Sequence, residues 1–187
     1  MANKVKFGFK NCYYAPITVG EGGAITYGTP VALKGAVSMS LSPSGETTEF
    51  YADDGVYFSD VNNNGYEGTL ELALVPDDFK IACLGATADA KGVLVENSTA
   101  VNTPFALLCE FTGDEQARRF AFYNCLASRP DLASTTKGES IEVQSETLNL
   151  TIRPDVHGIV KAETGATTTT GIDEAWYSSV YTTTSSN

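Results

Sequence analysis

Alternation of apolar and polar side chains recurs along most of this chain and predicts strands. The clearest run is 65–79, GYEGTLELALVPDDF, where Tyr66, Gly68, Leu70, Leu72 and Leu74 share one face and Glu67, Thr69, Glu71 and Ala73 the other. Pro76 has no amide hydrogen to give to a ladder and closes the strand. Asp77 or Asp78 then caps a short helix carrying Phe79, Ala82 and Cys83 that stops at Gly85. A first strand sets Val5, Phe7 and Phe9 against Lys4, Lys6 and Lys10. Val37, Met39 and Leu41 interleave with Ser38, Ser40 and Ser42, whose small hydroxyls tolerate close approach. Residues 92–96, 105–111 and 118–127 read as strands, the last two as a hairpin around a polar turn. Leu148, Leu150 and Ile152 alternate with Thr147, Asn149 and Thr151 in a long strand that Pro154 ends.

Two segments break this rhythm. In residues 42–65 turn formers bracket the aromatic runs Phe50-Tyr51 and Val56-Tyr57-Phe58, which predicts an extended hairpin or long loop whose rings need a surface to pack on. From Gly165 onward a four-threonine run precedes Trp176, Tyr177 and Tyr181, which marks residues 165–187 as a Thr/Ser-rich arm appended to a domain of residues 1–164. Trp176 and Tyr177 are its expected anchors, since such rings gain by docking on a folded surface.

At 187 residues the chain fits one domain with a substantial core. Twelve Lys plus Arg against 23 Asp plus Glu give a net charge of -11, which disfavours tight binding to nucleic-acid phosphates or anionic lipid. The N-terminus lacks a secretory pattern and no apolar run is long enough for a membrane anchor, so a reducing cytosol is the expected place of synthesis. Cys12, Cys83, Cys109 and Cys125 lack metal-binding spacing and read as small buried hydrophobes. The lone His157 lies in a turn-like PDVHG, and Asp53-Asp54 and Asp77-Asp78 fit turn and capping roles. Arg118 and Arg119 beside Phe120 and Phe122 fit pairing with carboxylates across a strand or subunit boundary better than nucleic-acid stacking. No catalytic residues, metal site or cofactor are expected.

The runs KFGFKNCYYAPIT, VSMSLSPSG, FYADDGVYF, NNNGYEGTLELALVPDDF, GVLVEN, PFALLCEF, YNCLASRP and ETLNLTIRP follow one another across residues 6–154. In that order and spacing the chain resembles the major tail tube proteins of long-tailed, non-contractile bacteriophages, the phi-thirteen type. The resemblance implies a mainly β, sandwich- or barrel-like tail tube fold with one short flanking helix. It also implies a virion protein, assembled in the bacterial host cytoplasm, whose subunits form hexameric rings stacked into a tube that conducts DNA. Expected partners are other copies of the chain, a tape-measure protein in the lumen, and tail terminator and distal tail or baseplate proteins. DNA would pass without specific binding.

On this reading the 42–65 segment joins rings through Phe50, Tyr51, Tyr57 and Phe58. The polar strand faces, Ser38, Ser40, Glu67, Thr69, Glu71, Thr147, Asn149 and Thr151, are candidates for the lumen. Six copies at -11 each carry about -66 per ring, a field that lets a phosphate backbone slide past. A subunit of a tail-like bacteriocin or injection particle, or a monomeric β-sandwich binding module, are the alternatives.

Overall fold

The computed structural model describes residues 3–113, 115–136 and 143–183. Seven strands come first: β1 (Lys6–Val19), β2 (Ile25–Tyr27), β3 (Val31–Ala32), β4 (Ala36–Pro43), β5 (Thr47–Ala52), β6 (Gly55–Val61) and β7 (Tyr66–Leu72). Helix α1 (Asp77–Cys83) precedes β8 (Thr87–Ala88), β9 (Leu94–Val95), β10 (Phe105–Gly113), β11 (Arg118–Ala127), β12 (Glu146–Arg153) and β13 (Lys161–Glu163). Helix α2 (Thr170–Ala175) closes the order. The chain is mainly β.

One nine-stranded sheet runs in the order β2-β1-β10-β11-β12-β7-β4, with β3 added beside β1 and β13 beside β11. It curls until β4 lies alongside β1. The short β3, which leads into β4, pairs with β1, and the Leu33 amide donates to the Cys12 carbonyl at 2.7 Å. This stitch draws together two edges that would otherwise stay open.

Inside the curl, Leu70, Leu72, Leu107, Leu148, Leu150 and Ile152 meet Phe79 of α1, all essentially buried. Phe79 packs edge-on to Tyr14 at 4.9 Å and to Phe105 at 5.2 Å, so the helix plugs one side of the core. The stretch from Phe105 to Glu110 is buried on both faces of the sheet, because a second apolar layer lies outside it. That layer packs Ala15, Ala106, Leu108, Ala121 and Tyr123 against Trp176 and Val180.

Several sequence expectations need correction. Val5 and Phe7 are more than half exposed, because Gly8 and Asn11 take positive φ and the β1 register shifts after Phe7 and again after Lys10. Val37 is exposed for the same reason: the register shifts between Ala36 and Ser38, and Ala36, Met39 and Leu41 face inward. Leu74 lies beyond the end of β7 and is exposed. Pro76, not Asp77 or Asp78, holds the N-cap position of α1, and both aspartates sit in its first turn. Only Leu94–Val95 of the 92–96 run forms a strand. A second helix, α2, lies within the arm, where the resemblance implied one short flanking helix.

A projecting ribbon, an open polar face and a docked arm

β4 and β7 continue past Pro43 and Gly65 into β5 and β6, a two-stranded ribbon separate from the main sheet. Its two-residue turn is Asp53-Asp54, with φ of 52° and 62°. That doubly left-handed turn matches strand twist, and aspartate tolerates it better than most residues. At the root Gly45 is required, since an added Cβ would meet the Asn62 carbonyl oxygen. Phe50 lies directly opposite Phe58, while Tyr51 pairs with Val56 across a bulge. All four ring anchors named from sequence are here, and all are more than half exposed, Tyr57 at 74%. No ribbon side chain belongs to either core cluster, so folding back onto its own domain does not occur among the described residues.

The eight candidates for a lumen face come together on the outside of three neighbouring strands. Ser38, Glu71 and Thr147 form one cross-strand row, and Ser40, Thr69 and Asn149 the next. Ser42, Glu67 and Thr151 complete the third. Every second residue of these strands faces the core, so the alternation itself sorts hydroxyls and carboxylates outward. The Ser38 hydroxyl donates to Glu71 at 2.7 Å and the Ser145 hydroxyl at 2.5 Å. These bonds, Ser145 first, hold the Glu71 carboxyl below its ordinary range. Glu67 pairs with Arg153 at 3.1 Å. The face is polar, hydrogen-bonded and open.

The arm has a different setting. Trp176 is buried against β1, β10 and β11 and stacks on Tyr181, and Tyr177 stacks on Tyr13 at 4.6 Å. Both anchors named from sequence thus dock on the chain's own sheet. Sequence reasoning missed what fastens them. Glu110, 3% exposed in the middle of β10, meets Arg119 at 3.1 Å, Lys10 at 3.3 Å and the Tyr177 hydroxyl at 3.2 Å. Arg119 also pairs with Asp173 of α2. The legible signal was a charge inside the apolar run FALLCE, directly opposite Arg119 once the hairpin is in register. Burial, and then the Glu110 charge, push the Tyr177 phenol up.

The chemistry of the remaining reactive groups is quiet. All four cysteines are free and buried, and burial pushes Cys12 and Cys83 up to about 12. His157 lies exposed in a turn whose amides bond to Asp155. Arg118 pairs with Glu163, so both arginines meet carboxylates within the chain. Among the described residues no group of three or more His, Cys, Asp or Glu side chains could hold a metal ion. No helix there is long and apolar enough to cross a membrane. In comparison with known proteins, no family model matches this chain and no curated protein matches it.

Proposed function

We propose that this chain is a structural subunit that assembles with its own copies into the stacked hexameric rings of a non-contractile phage tail tube, whose lumen conducts DNA into the host. The observation that carries the reading is the ribbon: Phe50, Tyr51, Tyr57 and Phe58 stand in solvent on an element that its own domain does not cover. Contiguous exposed aromatics mark interaction sites, and a ribbon that reaches from one copy to a different surface on the next makes a head-to-tail contact that propagates. The resemblance across residues 6–154 supplies the identity of the assembly. The polar face of β4, β7 and β12 suits a wet channel wall, since its carboxylates repel phosphate and its apolar side chains point inward.

Electron microscopy of the purified chain tests this. Rings or filaments are expected, whereas a monodisperse monomer at all concentrations contradicts the proposal and favours a binding module. In virions, Glu67→Lys with Glu71→Lys should slow DNA ejection through intact tubes, and unchanged transit would remove these residues from the lumen.

A further inference from the structure

The ribbon is not only aromatic. Residues 44–64 carry Glu46, Glu49, Asp53, Asp54 and Asp60 and no Lys, Arg or His, a charge of -5. Phe50, Phe58 and Asp60 share one face, because Thr48 opposite Asp60 lies two positions along from the Phe50–Phe58 pair. Any surface that receives this face must offer aromatic area and positive charge together.

Of the clefts described, one gathers the most positive charge beside aromatic rings, ahead of a second that sets Lys10 and Lys34 beside Phe9 and Tyr13. A groove of about 450 Å³ runs between the start of β1 and the β11–β13 corner. Phe111 and Phe120, packed edge to face at 5.3 Å, lie in its lining. Lys4, Lys6, Arg118 and Lys161 stand around them, with Glu163 the one carboxylate, so the lining sums to 4 - 1 = +3. Four of the chain's twelve Lys and Arg residues line this groove in a molecule of net charge -11. Lys6 Nζ sits 5.5 Å from the Phe111 ring centre and Lys161 Nζ 5.9 Å from that of Phe120, so cation and ring are already paired for a further aromatic to join.

We propose that the ribbon of one copy seats in this groove of a second copy, with Phe50 and Phe58 on Phe111 and Phe120 and the ribbon carboxylates against Lys6, Arg118 and Lys161. The inference rests on the reading of the chain as a self-assembling subunit and names the receiving surface. At about 3.3 Å per residue the seven residues of β6 extend roughly 23 Å, enough to reach a neighbour. Complementary charge fixes partner and orientation, and the aromatic contact supplies the burial. Donor and acceptor are different surfaces, so each copy can give one ribbon and receive another.

A photoreactive benzoylphenylalanine in place of Tyr57, in a mixture of isotope-labelled and unlabelled full-length chains, tests the site. Crosslinks between copies should map to peptides containing Val5 and Lys6 or Arg118 to Phe120. Crosslinks to another surface of a second copy would overturn the groove and leave the subunit reading standing, while a chain that stays monomeric would overturn both. In a second test, Lys6→Glu with Arg118→Glu should weaken association about tenfold, as should Glu46→Lys with Asp60→Lys, Glu46 lying two positions before Thr48 on the Phe50 face. Combining the four reversals should recover most of the loss. Parental assembly by either reversed chain, shown folded by circular dichroism, would overturn the proposal.

Discussion

The Tyr177 hydroxyl donates to the buried carboxylate of Glu110 at 3.2 Å, which ties the segment after α2 to the middle of β10. Arg119 strengthens the tie by bonding both Glu110 and Asp173. The attachment also carries a cost, because the Tyr123 hydroxyl and the Trp176 indole nitrogen are buried there without a partner among the described residues. Tyr177→Phe should therefore lower stability by about 1 kcal/mol. Trp176 emission should shift to the red at a lower temperature than in the parent chain, and an unchanged melt would show that stacking on Tyr13 alone holds the arm.

Alkali should loosen the same molecule for a defined reason. The folded chain raises the Cys12 and Cys83 thiols to about 12, above the ordinary value near 8.5. A raised acid keeps its full stabilising effect below its unfolded value and loses it as pH rises toward the folded one. Melting temperature should stay level to about pH 8 and fall beyond it, with Tyr177 adding to the fall above about pH 10. A colorimetric thiol reagent at pH 8 should label the cysteines only after unfolding.

Gly68 sits where two strands approach closely. A Cβ there would lie 1.9 Å from the Ser40 carbonyl oxygen and 2.9 Å from the Leu41 Cα, both backbone atoms that cannot swing aside. Gly68→Ala should cost on the order of 2 kcal/mol by forcing β4 away from β7. Urea denaturation measures it, and a loss below about 0.5 kcal/mol would mean the sheet absorbs the shift.

Phe50→Ser with Phe58→Ser should leave the melting temperature nearly unchanged, because neither ring contributes to a core cluster. In the proposed tube assembly should collapse, since each buried aromatic contributes roughly 1.5–3 kcal/mol and the contact would repeat around every ring. Tubes of normal length from this variant would separate the ribbon from assembly.

Where alternation ran unbroken, the sequence was transparent: β7, β12 and the β10–β11 hairpin lie where Leu70, Leu148 and Leu107 demanded. It misled where a single residue changed the phase. Gly8 at φ 66° and Asn11 at φ 51° turn the faces of β1, and no periodicity count shows a bulge before the partner strand is known. The eight polar positions were legible as faces, but their union on one surface required the register of three strands. β13 and α2 were invisible because three and six residues carry almost no period, and tertiary packing decides their conformation. Glu110 was visible as an anomaly whose partners only folding revealed.

The ribbon's separation from the core has a consequence for how such a molecule diversifies. Substitutions in β5 and β6 leave both core clusters untouched, so on the proposed docking selection acts on them chiefly through the receiving surface. A lineage can then exchange its coupling while keeping its scaffold. Two relatives expressed in one cell, each with a ribbon matched to its own partner surface, would sort into separate polymers instead of mixing.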